Sequence, residues 1–273
     1  MGKAEVSSEQ DLVDYLSEVV EFELLRVAGK KSVERLGRVG LSQSGDCVRR
    51  LGYHLAGETP SLWGSRMVTT LDDGTEAHDR LRASIHAALS MSGEHFRLVD
   101  EELEVRLEVA VGFVIKGHVD GVIEKLCICA KHLQFPVRSV LEIKSASDFS
   151  FKKTMKEGPD FGYQAQATSY MAALGLRSTV FLFKNKSSGE LRFFGFEFSP
   201  KTLENIEWRF KTLASTSDPT ELPREYGPDQ SGWLPFQCNY CPYITRCWDG
   251  FAPRLAKSSP RLFKLEKMDS LGE

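Results

Sequence analysis

Two charged motifs stand close together in the segment GHVDGVIEKLCICAKHLQFPVRSVLEIK, which covers residues 117–144. Its last part, VLEIK, alternates apolar and charged side chains, and residues two apart on a β-strand share one face. We therefore expect Glu142 and Lys144 on one face of a strand and Ile143 on the other. The apolar neighbours predict a central strand, where an unpaired charge is costly. Asp120 is expected to bring a second carboxylate from a neighbouring strand.

Two carboxylates are what a Mg²⁺ or Mn²⁺ site requires, with water and substrate phosphate filling the other positions. Lys144 would then be placed to bind an attacking water or a phosphate. Each residue also has a plain structural interpretation. A Glu-x-Lys pair on a strand is commonly a surface ion pair, Asp120-Gly121 fits a turn, and His78 fits a packed or surface position on an amphipathic helix. Only the combination of these residues favours a metal-dependent catalytic site.

Hydrophobic periodicity and turn residues predict the elements around these motifs. The predicted helices cover residues 8–28 (ended by Gly29), 47–56, 75–91, 161–174 (stopped by Gly175) and 201–213, with a loop at 59–73. The predicted strands cover residues 103–111, 113–123 (after a tight turn at Gly112), 137–145, 179–185 and 191–198. This mixture predicts an α/β or α+β sheet with helices packed on it.

The composition and net charge of the chain exclude several classes of protein. The chain has 273 residues, 27% of them charged and 41% hydrophobic, with a net charge of −3, which is typical of a globular protein. It is not generally polybasic, and no apolar run approaches the ~20 residues of a membrane span. The first ten residues lack the apolar core of a secretory signal. We therefore expect a cytoplasmic protein without a membrane segment.

Three cysteines cluster near the C-terminus as Cys238-x-x-Cys241-x5-Cys247. Such spacing rarely arises from packing and favours a metal site with one open position. The candidates for the fourth ligand are Cys47, Cys127, Cys129 and, in place of a thiolate, His54. Four thiolates suit zinc and an iron–sulfur cluster alike, so the spacing leaves both open.

Asp120 followed by Glu142-x-Lys144 resembles the core of the P-D-(D/E)-x-K nucleases. Gly74-x-x-x-His78 resembles the histidine motif of the RecB-type branch, and Gln166-x-x-x-Tyr170 resembles its Q-x-x-x-Y motif. The resemblance covers residues 41–250 and lacks the proline before Asp120. It implies a restriction-endonuclease-like α/β core, a central mixed sheet flanked by helices. The expected divisions are an N-terminal helical segment at 1–40, the nuclease domain at 41–250 and a C-terminal tail at 251–273.

The resemblance also implies a role for each residue. His78, Asp120 and Glu142 would hold Mg²⁺ or Mn²⁺, and Lys144 would orient water and stabilise developing charge. Gln166 and Tyr170 would orient the substrate or the lysine.

The stretch 41–53, which contains Cys47, is similar to the N-terminal single-cysteine segment of iron–sulfur RecB-type nucleases. These include the CRISPR-adaptation nucleases and AddB-type nuclease domains. The similarity implies that the N- and C-terminal segments meet at a [4Fe-4S] cluster, with Zn²⁺ as the competing metal and Cys127 and Cys129 as ordinary thiols. The implied ligands are Cys47, Cys238, Cys241 and Cys247.

The function predicted from these residues is metal-dependent hydrolysis of DNA, as an exonuclease on single-stranded or frayed ends, in DNA recombination, repair or processing. Basic residues near the motifs are candidates for phosphate binding: Arg49, Arg50, Lys152, Lys153 and Lys156. The alternatives are a non-catalytic iron–sulfur or zinc DNA-binding subunit, and a nuclease domain that works only inside a larger assembly with protein partners that the sequence does not identify.

Overall fold

The computed structural model describes residues 9–34, 36–60, 65–91, 96–125, 137–249, 251–256 and 259–267. The helices are α1 (Glu9–Glu34), α2 (Val48–Leu55), α3 (Ser65–Met91), α4 (Asp148–Glu157), α5 (Phe161–Leu174), α6 (Pro200–Ser215), α7 (Phe236–Asn239) and α8 (Ile244–Cys247). The strands are β1 (Phe96–Val99), β2 (Glu104–Ala110), β3 (Phe113–His118), β4 (Gly121–Lys125), β5 (Val137–Ala146), β6 (Ser178–Asn185), β7 (Leu191–Glu197), β8 (Phe251–Ala256) and β9 (Ser259–Lys267). A 3-10 turn at Leu41–Gln43 precedes α2.

The central sheet has the strand order β1-β4-β5-β6-β7. Strands β5 and β6 are parallel, and the other neighbouring pairs are antiparallel. A parallel pair requires a crossover connection, which α4 and α5 supply here. The sheet is therefore mixed and β5 lies at its centre, as its apolar sequence predicts.

Helices cover both faces of this sheet. Helix α3 packs Leu81, Ile85 and Leu89 against a cluster that contains Ile143 of β5. Helix α5 lies on the opposite face, where Tyr170 belongs to the larger core cluster. Each apolar side chain buried in these layers stabilises the fold by about 1.5–3 kcal/mol. Because β5 alternates, its odd-numbered side chains meet α3 and its even-numbered ones meet α5.

The ends of α5 follow from local sequence. Asp160 caps the start by accepting a hydrogen bond from the backbone N–H of Tyr163 at 3.0 Å. Gly175 ends the helix in the left-handed conformation, with φ 66°, which glycine adopts without strain. The sequence predicts both ends correctly, and they fix which α5 residues face β5.

Two predicted helix boundaries are wrong. Helix α1 continues through Gly29 to Glu34, and α3 begins at Ser65, inside the predicted loop at 59–73. A glycine inside a helix costs only about 1 kcal/mol relative to alanine, so it does not have to end the helix. Gly74 lies inside α3, where an added Cβ would make only an ordinary contact of 3.4 Å with Ser145 Oγ.

The predicted strand 113–123 is two strands in two sheets. Strand β3 pairs with β2 in a separate hairpin, whereas β4 pairs with β1 and β5. The chain breaks at Val119 and Asp120 because the Val119 N–H bonds to the Leu103 carbonyl and the Asp120 side chain bonds to the backbone of β5. The alternation of side chains along a strand does not show which strand it pairs with. The sequence pattern therefore could not reveal this change of pairing partner.

Several short elements of the described chain were not predicted. They are the 3-10 turn at Leu41–Gln43, β1, α4, α7, α8 and the hairpin of β8 and β9, which lies within the predicted tail at 251–273. No helix in the described part of the chain is long and apolar enough to cross a membrane.

Gly45 touches α5, and we predict that Gly45→Ala destabilises the protein. An added Cβ would lie 2.5 Å from the Cα of Gly162, a backbone atom that cannot rotate away. We expect a loss of about 1–3 kcal/mol in the free energy of unfolding, measured by urea denaturation.

The control is Gly195→Ala in β7, where an added Cβ meets nothing within 4 Å. This change should stay within about 0.5 kcal/mol. Equal losses in the two variants would show that the contact between residues 45 and 162 is not tight.

Candidate functional site

The Glu142–Lys144 pair lies in the middle of the sheet. The Lys144 ammonium donates to Glu142 Oε1 at 2.6 Å, and the side chains are 15% and 3% exposed, respectively. Both point toward α5, while Ile143 is fully buried in the α3 layer. The alternation predicted from the sequence is therefore correct, and the pair is buried in the centre of the fold.

Asp120 and His78 reach the same strand from two other elements. Asp120 precedes β4, and its Oδ2 accepts a 2.6 Å hydrogen bond from the backbone N–H of Ile143, between Glu142 and Lys144. From α3, His78 places Nδ1 3.4 Å from Asp120 Oδ1. The fold thus brings these predicted residues together.

Gln166 of α5 lies between the ion pair and Tyr170. Its Oε1 accepts from Lys144 Nζ at 2.9 Å, and its Nε2 donates to Glu142 Oε1 at 2.8 Å and to the Tyr170 hydroxyl at 3.1 Å. Gln166 and Tyr170 are one helical turn apart and buried. These bonds fix the amide orientation and hold Lys144 against the carboxylate.

Burial dominates the electrostatics of the site. Burial and, after it, the negative charge of Asp120 together raise the pKa of Glu142 to about 7, against the opposing effect of Lys144. Burial opposes the protonated form of Lys144, but the Glu142 carboxylate outweighs it and raises the lysine pKa. Burial also raises the pKa of Tyr170. Lys144 is thus held charged beside a carboxylate whose charge is costly.

One oxygen of Glu142 has no partner within the described part of the chain. Oε2 is buried, and no hydrogen bond from the described residues reaches it. Leaving a buried acceptor unsatisfied costs about 1–3 kcal/mol, and more for a charged group. A cation bound by Glu142 and Asp120 would satisfy this oxygen and offset both negative charges, so the donor set fits Mg²⁺ or Mn²⁺.

The described residues contain no group of three or more His, Cys, Asp or Glu side chains that already stands in an arrangement able to hold a metal ion. The observations at this site are therefore an ion pair, a nearby carboxylate, a histidine and an unsatisfied oxygen.

The four predicted cluster cysteines are half-buried and free of disulfides. Burial and then the charges of the other three raise the pKa of Cys238 to about 12, and burial raises that of Cys241 to about 11. The charges of Cys241, Cys47 and Cys247 thus act on Cys238, but among the described residues the four cysteines are not arranged as a metal centre. Cys127 and Cys129 lie outside the described residues.

Hydrogen bonds and a ring contact also join the N-terminal cysteine segment to the C-terminal part. The Val48 N–H donates to Glu225 Oε2 at 2.8 Å. The rings of Tyr53 and Tyr243 stack with centroids 5.6 Å apart, and His54 Nδ1 lies 3.0 Å from the Tyr243 hydroxyl. The sequence does not predict these contacts, since it has no pattern that connects residues 177 positions apart.

The predicted basic residues fall into two groups. Arg49 donates to the carbonyls of Leu222 and Thr220, and Arg50 pairs with Asp46, so both lie with the cysteine segment. The three lysines lie on α4, directly after β5, and two of them form exposed pairs: Lys152 with Asp148 and Lys153 with Glu157. The lysines therefore belong to the helix that follows the strand of Glu142 and Lys144, whereas the arginines belong to the cysteine segment.

One aromatic contact of Lys144 was missed as part of the site. Its Nζ lies 5.2 Å from the ring centroid of Tyr163, within cation–π range. The signal was the spacing: Tyr163 lies three residues before Gln166, on the same face of α5.

The fold resembles solved structures. The crystal structure of SSO0001 matches with a TM-score of 0.51 and 15% identity, over 84% of this chain and 96% of that one. An alkaline exonuclease (LHK-Exo) from Laribacter hongkongensis matches with a TM-score of 0.46, at 18% identity over 68% of this chain and 91% of its own. Its complex with dAMP gives 0.48, at 18% identity over 67% and 89%. The likeness to SSO0001 shows a shared fold and assigns no activity. No protein-family model and no curated protein matches the chain.

We predict that Gln166→Ala destabilises the protein more than Gln164→Ala. The first change removes partners from Lys144, Glu142 and Tyr170, which are all buried or nearly so, at a cost of about 1–3 kcal/mol. Gln164 makes a bond of 2.7 Å to the Pro159 carbonyl, and its loss costs about 0.5–1.5 kcal/mol. Urea denaturation measures both values. A smaller loss for Gln166→Ala would contradict its proposed bridging role.

Proposed function

We propose that this protein is a metal-dependent nuclease that hydrolyses phosphodiester bonds of DNA, as an exonuclease on single-stranded or frayed ends. The observation that carries the proposal is the buried Glu142 carboxylate. One of its oxygens is bonded to Lys144 and the other lacks any partner, with Asp120 close enough to raise its pKa. A purely structural ion pair has no need of a second carboxylate and a free buried oxygen.

His78, Asp120 and Glu142 would hold Mg²⁺ or Mn²⁺. When bound, the ion would supply Lewis-acid polarisation of the phosphate and lower the pKa of a coordinated water. The protein contributes the fixed positions: Asp120 is tied to the N–H of Ile143, and Glu142 is held through Oε1. This leaves Glu142 Oε2 as the free donor atom.

Lys144 would act on the substrate and the attacking water. Its ammonium stays protonated beside Glu142, so it can orient a water and stabilise negative charge that develops on the phosphate. Gln166 and Tyr170 act through Lys144 and Glu142: they hold the pair in one geometry and exclude alternative side-chain conformations.

The second part of the proposal is a [4Fe-4S] cluster held by Cys47, Cys238, Cys241 and Cys247, with Zn²⁺ as the alternative metal. The support is the chemistry of the donors. Four free thiols lie near one another, and their burial and repulsion disfavour the thiolate charges that a cationic centre would offset. Its role would be structural, closing a loop of about 190 residues between the two ends of the domain.

The metal site gives the first functional prediction. We expect Asp120→Ala and Glu142→Ala each to abolish cleavage of end-labelled DNA in Mg²⁺ or Mn²⁺, because each removes a carboxylate ligand. Mn²⁺ binding, measured by calorimetry, should fall in both variants while the circular dichroism spectrum is unchanged.

Lys144→Ala is the matched control for this prediction. It should keep Mn²⁺ binding and slow cleavage by about 10²–10⁴-fold, the usual effect of losing a positioned acid–base or charge-stabilising group. Full activity in either carboxylate variant would overturn the metal assignment. A wild-type protein that binds DNA without cutting it would favour the non-catalytic subunit.

The cluster prediction separates iron from zinc. A [4Fe-4S] protein purified without oxygen should be brown, with roughly four iron and four sulfide per chain, whereas zinc has a filled d shell and gives no colour. Cys47→Ala and Cys241→Ala should both lose the colour, and Cys127→Ala and Cys129→Ala should keep it. A colourless protein with one zinc would exclude the cluster.

A further inference from the structure

The carboxyl end of β5 meets the carboxyl end of β6, because these two strands are parallel. The backbone N–H of Lys186, the first residue after β6, donates to the carbonyl of Ala146, the last residue of β5, at 2.8 Å. Because Lys144 pairs with Phe183 in the register of these strands, Lys186 lies three residues beyond the position opposite Lys144. The side chain of Lys186 is exposed.

Gly74 brings the Lys186 ammonium toward the proposed metal ligands. A Cβ added at Gly74 would lie 3.4 Å from Ser145 Oγ and 3.8 Å from Lys186 Nζ. Gly74 precedes His78 by one turn of α3. The ammonium therefore lies against α3, one helical turn from His78, on the same face of the sheet as Ser145.

An exposed aromatic ring follows the end of β5 in the chain. Phe149 is in the first turn of α4, five residues after Lys144, and is 78% exposed, whereas Phe151 is 2% exposed. Exposing a ring that could be buried forgoes about 1.5–3 kcal/mol.

The turn that carries this ring is fixed. Ser147 caps α4 by accepting from the Ser150 N–H at 3.3 Å, and Asn185 donates to Asp148 Oδ1 at 3.0 Å. Asn185 directly precedes Lys186, so the ring and the ammonium are held by the same junction between α4 and the β6–β7 turn.

We propose that Phe149 and Lys186 form a binding surface for one unpaired nucleic-acid strand at the carboxyl end of β5, the strand that carries the Glu142–Lys144 pair. Phe149 stacks on a base, and Lys186 binds a backbone phosphate. This rests on the proposed nuclease function and specifies its substrate. Stacking on an aromatic ring tolerates every base but requires an open base face, which a duplex does not offer within its stack. The surface therefore selects single strands without reading sequence.

The test measures binding without cleavage, in EDTA, by fluorescence anisotropy. The probes are fluorescein-labelled dT12, an abasic strand of equal length, rU12 and a dT12–dA12 duplex. Phe149→Ala should weaken dT12 binding at least about fivefold and leave the abasic strand unchanged, because it removes stacking alone. Phe149→Trp should retain the affinity. Comparison of the affinities for dT12 and rU12 shows whether the surface prefers deoxyribose or ribose, since both strands carry the same phosphates and comparable bases.

Lys186→Ala should weaken dT12 and the abasic strand alike, and it should lower the slope of log affinity against log salt by about 0.7, the value for one phosphate of a single strand. The matched controls are Phe193→Ala on the edge strand β7, where the ring is 61% exposed, and Lys211→Ala on α6, which pairs with Glu207. Neither control should change binding.

Several outcomes would overturn this surface: no binding of any strand, equal loss for dT12 and the abasic strand in Phe149→Ala, equal loss for the duplex, or an equal loss in Phe193→Ala. If the wild type cleaves DNA and Phe149→Ala binds the strands as the wild type does, the proposed binding surface is wrong but the proposed nuclease function stands. Phe149-dependent binding with no cleavage in Mg²⁺ or Mn²⁺ would reject the nuclease and leave the surface.

Discussion

The ion pair between Glu142 and Lys144 is the constraint on which the rest of the site depends. Two charges in the central strand of a sheet lose most of their hydration, an effective cost of several kcal/mol for each ion, and their attraction offsets it only with good geometry and further hydrogen bonds. Gln166 supplies two of those bonds from α5, and Asp120 is tied to the N–H between the pair. The neighbouring elements must therefore be placed accurately. One oxygen still has no partner, so the pair costs stability that a purely apolar strand would retain.

Much of the site could be predicted because its residues lie on regular elements. A period of two places Glu142 and Lys144 on one face, and a spacing of four places Gln166 and Tyr170 on one face of a helix. The central position of β5 follows from its apolar residues, which suit a strand covered on both faces. Most element boundaries follow from the same patterns, whereas the mixed sheet was an expectation from the resemblance to the P-D-(D/E)-x-K nucleases. These are local properties, and local sequence determines them.

The remaining features depend on contacts between distant residues. The hydrogen bond from Ile143 to Asp120 joins residues 23 apart and splits the predicted strand 113–123 into two sheets, since Asp120 leaves the β-ladder to make it. Helix α3 also packs on β5 through Leu81, Ile85 and Leu89, a contact that the residues around Gly74 do not encode. The same limit applies to the buried pair of Arg209 and Glu225. Arg209 bonds to the Asp46 carbonyl and Glu225 to the Val48 N–H, so together they hold the backbone on both sides of Cys47.

Helix α5 connects the cysteine segment to the ion pair. On one side, Ser169 donates to Ser44 at 2.8 Å and Gly162 packs against Gly45, two residues before Cys47. On the other side, the same helix presents Gln166 to Glu142 and Lys144. Helices are stiff and cores are close-packed, so a displacement of α5 moves both contacts. Any group that fixes the cysteine segment therefore also fixes the position of Gln166. A group held by the cysteine segment, as proposed, would therefore have a physical route through α5 to the residues of β5 without contact between the two sites.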